Sequence, residues 1–179
     1  MDAAVSAARE KLNKATPLKR DCGRVCGARC CRPLEGEETG MLLFPGEAEA
    51  YAGKPGWKIV NTARGDIVVC PGACDREERP LSCRLFPLLP VIGNDGTVRV
   101  ITDLQAKAVC PLARQGIQTM DPVFVSAVRE AGECLAGDPR QAAFLEALCA
   151  EQEELRQFQI RLGGARDGET GAGGPGSLR

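Results

Sequence analysis

The side chains with the clearest chemical potential in this 179-residue chain are its ten cysteines, and the chain contains no histidine. Eight of the cysteines lie in stretches rich in glycine, proline or arginine: Cys22, Cys26, Cys30, Cys31, Cys70, Cys74, Cys83 and Cys110. Pairs spaced Cys-x-x-x-Cys recur among them, and a loop this short lets two thiolates converge on one ion about 2.3 Å away. The pattern therefore predicts a metal site made of cysteine alone.

Two pairs of cysteines differ from this pattern. Cys30 and Cys31 are adjacent, and because neighbouring side chains tend to diverge, the sequence allows them to serve different metals. Cys134 and Cys149 lie in stretches with helical periodicity, where a lone cysteine usually packs as a small apolar side chain. We expect these last two to be buried and to bind no metal.

The charge of the chain limits how such a site can be built. The formal net charge is −1, and eight thiolates with two divalent ions would leave it at about −5. Compensation must therefore be local, and guanidinium groups provide it because they stay charged and donate several hydrogen bonds. Six arginines lie within a few residues of the cysteines: Arg24, Arg29, Arg32, Arg76, Arg79 and Arg84. Arg79 and Arg84 are the two that we expect beside the bound cofactor rather than in solvent.

The cysteine in "ERPLSCRLFPLLP" is held in an unusually stiff segment. Pro80 and Pro87 limit how far the chain can relax, and apolar neighbours such as Leu81 and Leu85 can anchor it in a core. Cys83 is thereby predicted to lose little conformational entropy when it binds a metal.

Composition excludes several other classes of function. A net charge near zero predicts no basic surface for nucleic acid, and the longest apolar run, "LFPLLPVIG", is short and broken by proline. The first residues, "MDAAVSAAREKLNK", lack the apolar core of a secretory signal. We therefore expect a soluble cytoplasmic protein, with a metal ion as its partner and no contact with membranes. In a reducing compartment, clustered thiols indicate metal or redox chemistry rather than disulfides.

The remaining patterns predict an α+β fold: a small cysteine-rich metal-binding core with short antiparallel strands and a C-terminal helical hairpin. Residues 1–19 are predicted to hold an N-terminal helix, because Val5, Ala8 and Leu12 have helical spacing. Residues 20–115 form the cysteine-cluster region, with a short helix near 46–52 and two β-hairpins that join in one small sheet. Residues 116–162 form two antiparallel helices that each open with Asp-Pro, and 163–179 form a flexible glycine-rich tail.

The cysteine motifs resemble those of the YkgJ-like cysteine-cluster family, described as a zinc- or iron-chelating domain. The resemblance covers about residues 20–115 and rests on "CGRVCGARCC", then "CPGACDREERPLSCRLFP", then "VCPL". The segment Arg-Pro-x-x-Cys-Arg-x-Phe-Pro is its most specific part. The resemblance implies that the eight loop cysteines named above are the metal ligands, and that the cofactor is zinc, iron or an iron–sulfur cluster. In the family, shorter gaps between the leading cysteines are common.

Three classes of function remain open at this stage. Clustered loop thiols without histidine favour a metal-binding protein with zinc or an iron–sulfur centre. An enzyme related to flagellin lysine N-methylases is the second class, although the chain has no glycine-rich turn for a nucleotide-like cofactor and no activated nucleophile. A thiol–disulfide protein is the third, and it would require an exposed Cys-x-x-Cys at a helix start, which the sequence lacks. The sequence thus predicts metal binding and assigns no catalytic residue.

Overall fold

The computed structural model describes residues 1–32, 40–72 and 74–167, with side chains up to residue 161. The helices are α1 (Ala3–Lys11), α2 (Gly23–Cys26), α3 (Leu81–Leu85), α4 (Pro111–Gln115), α5 (Pro122–Ala136) and α6 (Pro139–Asp167). The strands are β1 (Met41–Leu42), β2 (Lys58–Thr62), β3 (Gly65–Val69), β4 (Leu88–Ile92) and β5 (Val98–Thr102). The fold is α+β with helices at its C-terminal end, as predicted.

The ends of the long helices follow directly from the sequence. The Asp121 carboxylate accepts a hydrogen bond from the backbone N–H of Val123, and Pro122 occupies the first turn of α5. Asp138 caps α6 in the same way, and Asp2 caps α1. These bonds satisfy backbone donors that a helix leaves free at its start. Both predicted Asp-Pro helix starts are confirmed.

The main core lies between α1, α5 and the β4–β5 hairpin. Val5 and Leu12 of α1, and Phe124, Val128 and Leu135 of α5, are fully buried there. Gly132 allows α5 to approach β4, because a Cβ at this position would lie 2.5 Å from the Cβ of Pro90. The apolar spacing predicted for the N-terminal helix is confirmed, and α5 packs on α1 and the hairpin as well as on α6.

The strands form two sheets, so the prediction of one small sheet is wrong. One sheet has three antiparallel strands in the order β1-β3-β2, and the other contains only β4 and β5. The reason is the apolar content of β4, whose Leu88, Leu89 and Val91 are all buried by the helical body. The second hairpin is therefore drawn into the main core and away from the first.

Two predicted boundaries also change. The short helix predicted near 46–52 is a single 3₁₀ turn, Ala48–Ala50. Helix α6 continues to Asp167, past its predicted end at Leu162, because two glycines lower helix stability by about 1 kcal/mol each without forbidding it. The rest of the predicted tail, 168–179, lies outside the described residues. Within the described ranges, every helix is too short or too polar to cross a bilayer.

Candidate metal centre

The largest cavity that the cysteines face lies between the segment 16–32, the three-stranded sheet and α3, and has a volume of about 370 Å³. Six cysteines line this large cavity: Cys22, Cys30, Cys31, Cys70, Cys74 and Cys83. Its wall is otherwise mainly apolar, apart from three arginines, one aspartate and one threonine. Thiols are thus the most numerous polar groups facing this space.

A second, small cavity of about 30 Å³ lies beside it, between α2 and the start of α4. Four cysteines line this small cavity: Cys22, Cys26, Cys30 and Cys110. Cys22 and Cys30 face both spaces, so the two cavities adjoin. Together they are lined by all eight cysteines that the sequence singles out, whereas Cys134 and Cys149 line neither.

Two tight turns place the four cysteines between residues 22 and 31. Cys22 precedes α2 and Cys26 ends it, and the Cys26 Sγ lies 3.8 Å from the backbone oxygen of Cys22. Gly27 and Ala28 then both have positive φ, +66° and +53°, a conformation in which glycine costs nothing and alanine is strained. This reversal starts a 3₁₀ turn that carries Cys30 and Cys31. Contrary to the expected divergence, their sulfurs lie 3.9 Å apart.

The loop with Cys70 and Cys74 reaches Cys31 through a glycine. Gly72 has a φ of +84°, and a Cβ built on it would lie 3.2 Å from the backbone oxygen of Cys31. A larger residue would therefore be strained in its backbone and crowded against the opposite loop. The sequence places glycine where the two cysteine loops approach each other.

Cys83 lies on α3, which is fixed from both sides. Leu81 and Leu85 of this short helix are buried in the main core. The fully buried carboxylate of Glu47 accepts a hydrogen bond of 2.9 Å from the backbone N–H of Leu81 and one of 3.0 Å from that of Phe44. It also pairs with Arg9 of α1 at 3.2 Å. The stiff presentation of Cys83 thus depends on Glu47, which sequence reasoning missed because no local signal marks it as a buried acceptor.

Arg79 is the arginine that faces the thiols. Burial by itself would lower the pKa of its guanidinium, but a hydrogen bond to Cys74 and the charges of Cys31 and Cys83 raise it above its ordinary value. The Arg79 Nε atom is buried and has no hydrogen-bond acceptor within the described part of the chain. Its positive charge is therefore available to the cysteine group.

Arg84 lines the large cavity but directs its donors elsewhere. Arg84 is 5% exposed, and its guanidinium donates hydrogen bonds to the backbone oxygens of Glu77, Arg79 and Arg9, at 2.8, 3.2 and 3.2 Å. Burial, followed by the charges of Arg9 and Arg76, lowers the pKa of Arg84 to about 10. It is therefore not a solvated side chain, and the contacts that it makes hold the turn carrying Arg79.

Of the other arginines near the cysteines, one is bonded to the backbone and three are exposed. Arg76 donates hydrogen bonds to the backbone oxygens of Leu12, Asn13 and Ala15, and so fixes the 76–78 turn to the end of α1. Arg24, Arg29 and Arg32 are exposed. Asp21 also lines the large cavity. This was not predicted from the sequence, although Asp21 directly precedes Cys22.

The protonation of the thiols reflects how closely they are grouped. Burial raises the pKa of Cys83, and the charges of Cys31, Cys70 and Cys74 raise it further. Burial likewise raises the pKa of Cys22, together with Asp21, Cys26 and Cys110. The hydrogen bond with Cys30 lowers the pKa of Cys31 to about 6. Several thiolates can therefore coexist here only if positive charge joins them.

The donor set fits zinc or an iron–sulfur centre in its chemistry, since thiolate is a ligand that both accept. Across residues 1–32, 40–72 and 74–167, however, no three cysteine, aspartate or glutamate side chains are positioned to hold an ion as they stand. Binding would require the thiols to move toward one another from the walls of the cavities. All ten cysteines are free thiols, and none is tied up in a disulfide.

The two helical cysteines differ somewhat from expectation. Cys134 packs against the main core, but both it and Cys149 are half-buried rather than fully buried. Cys134 precedes the buried Leu135 on α5, and Cys149 lies one turn after the buried Leu145 on α6.

Comparisons with protein-family models, with curated proteins and with solved structures gave no match to this chain. The resemblance to the cysteine-cluster family therefore stays a prediction based on the motif.

Proposed function

We propose that this chain is a metal-binding protein that chelates zinc or an iron–sulfur centre through Cys22, Cys26, Cys30, Cys31, Cys70, Cys74, Cys83 and Cys110. The observation that carries the proposal is that these eight thiols, from four separate stretches of sequence, line two adjoining cavities. Thiolates from distant segments repel one another in one shared space unless a positive charge joins them, because burial and neighbouring like charges both disfavour the charged form. A bound cation supplies that positive charge.

The charge and the surroundings of the cavities support the same function. Arg79 lies near Cys31, Cys74 and Cys83, and it would offset part of the negative charge that all-thiolate coordination leaves. The mainly apolar wall limits access of water, which strengthens a thiolate–metal bond and protects it from exchange. A reducing compartment such as the cytoplasm suits this role, since the thiols must stay reduced to bind.

The test is the metal content of the full chain purified without oxygen. A brown protein with iron and sulfide indicates an iron–sulfur centre, and a colourless protein with zinc indicates zinc coordination. Cys83→Ser is expected to retain less metal than the wild type, because it removes one ligand. Cys149→Ser serves as the matched control, since this cysteine faces neither cavity, and it should retain the wild-type amount.

Two results would contradict the proposal. The first is a wild-type protein without any metal above the level of the buffer. The second is an equal loss of metal in Cys83→Ser and Cys149→Ser, which would show that the loss follows from general damage and not from removal of a ligand.

A further inference from the structure

We propose that the eight cysteines form two separate four-thiolate centres, one from Cys22, Cys26, Cys30 and Cys110 and the other from Cys31, Cys70, Cys74 and Cys83. This inference rests on the proposed function and adds to it which cysteines share a metal. It also assigns the adjacent pair Cys30 and Cys31 to different centres.

The division follows from which cavity each thiol faces. Four cysteines face only the large cavity: Cys31, Cys70, Cys74 and Cys83. Four thiolates complete a tetrahedral site, so this group needs no further ligand. Cys26 and Cys110 face only the small cavity and make half a site. Cys22 and Cys30, which face both cavities, are the two ligands that complete it.

The backbone keeps each group together. In the first group, Cys22 and Cys26 lie at the two ends of one helical turn, and Cys22 packs against the core that contains Cys110. In the second group, Gly72 brings the loop of Cys70 and Cys74 against the carbonyl of Cys31. Cys30 and Cys31, whose sulfurs lie 3.9 Å apart, mark the place where the two groups adjoin.

The two spaces differ in what they can hold. A cavity needs roughly 10–15 Å³ to hold one water molecule, so the small cavity, at about 30 Å³, suits a single ion better than a multi-atom cluster. The large cavity, at about 370 Å³, has room for a single ion or a multi-atom centre. Arg79 lines the large cavity and not the small one, so the nearest guanidinium charge lies on the side of the larger centre.

The experiment uses the full chain, stripped with a chelator under reducing and oxygen-free conditions and titrated with cadmium-113 chloride. Cadmium binds thiolates as zinc does and reports each site by its own NMR resonance. We expect two resonances typical of four-sulfur coordination. Cys26→Ser should displace or remove one of them and leave the other, and Cys70→Ser should have the converse effect. Cys149→Ser should leave both, and circular dichroism of each variant checks that the helices remain.

Two outcomes would overturn the inference, and a third would overturn the proposed function. Loss of both resonances in Cys26→Ser and again in Cys70→Ser, with the helices intact, would indicate one joint centre. Scalar coupling between two cadmium ions would show a shared thiolate and hence a single dinuclear cluster. The absence of any thiolate-bound resonance in the wild type would instead contradict the proposed function itself, so the two failures are distinguishable.

Discussion

The helical body and the cysteine-bearing turns of this protein are ordered by different forces. In the body, side chains such as Leu12, Phe124, Leu135 and Leu145 are fully buried against one another. The turns of α2, Arg29–Cys31 and Arg76–Glu78 contain no buried residue. Burial of apolar surface stabilises the first region by about 1.5–3 kcal/mol for each large side chain, and the second region lacks this contribution.

The Arg76–Glu78 turn is instead held by arginines that donate to backbone oxygens. Arg76 fixes its turn to the end of α1, and Arg84 reaches from α3 to the same turn and to α1. Each such bond contributes about 1.5–3 kcal/mol when a charged group is involved, but it joins two points of the chain and does not build an apolar core. The comparison indicates that the body has its own source of order, and under the proposed function a bound metal would complete the order of the thiol region.

The largest expected effect is therefore that of metal removal. Chelation should bring the amide exchange of residues 20–32 and 74–80 close to that of an unstructured chain, because these segments lose their cross-link. Helix α5 should keep its protection, since its buried face does not depend on the metal. Hydrogen exchange followed by mass spectrometry measures both regions in one sample. Equal protection of the turns with and without metal would end the distinction between the two regions.

A substitution in the body tests the other half of the comparison. Phe124→Ala should lower the free energy of unfolding by about 3–5 kcal/mol, because it leaves a cavity at a fully buried position. Urea unfolding measures this, and Val123→Ala is the matched control, since Val123 is 68% exposed and should change stability by less than about 0.5 kcal/mol. The folded variant should hold the wild-type amount of metal. A loss of metal in proportion to the lost stability would show that the regions are not separate.

The smallest expected effect distinguishes the two arginines near Cys83. Arg79→Gln should weaken metal affinity by about 10–100-fold, as is typical when a group beside the ligands is lost. Arg84→Gln, on sequence grounds alone, would be expected to act in the same way, but its hydrogen bonds to three backbone oxygens predict mainly a loss of stability of about 1–3 kcal/mol. A competition titration against a chromogenic chelator compares the variants.

The exposed Arg24→Gln is the control in that titration and should keep the wild-type affinity. If Arg84→Gln weakens metal affinity as much as Arg79→Gln, then the sequence-based expectation that Arg84 lies beside the bound cofactor holds. Its hydrogen bonds to backbone oxygens would then not be its main role. If neither variant differs from Arg24→Gln, the cysteine groups do not depend on a neighbouring guanidinium.

Local patterns in the sequence predict the parts of the fold that local interactions control. The Asp-Pro helix starts, the hairpin around "NDG" and the apolar face of α1 all appear where expected, because caps, turns and periodicity act over a few residues. The arrangement of the hairpins in two sheets was not predictable in this way. It depends on β4 packing under the helices, a contact between distant parts of the chain.

For the candidate centre, the sequence by itself separated the eight cysteines beside glycine, proline and arginine from Cys134 and Cys149 of the long helices. The prediction that all eight lie in loops is wrong for Cys26 and Cys83, which lie in the short helices α2 and α3. Only the tertiary structure decided that Cys110 joins Cys22 and Cys26, that Gly72 meets Cys31, and that Arg79 rather than Arg84 faces the thiols. The physical reason is that residue type and spacing set what a side chain can bind. Its actual neighbours depend on how the buried faces of separate elements pack, and Glu47, which holds α3 in place, lies far from Cys83 in the sequence.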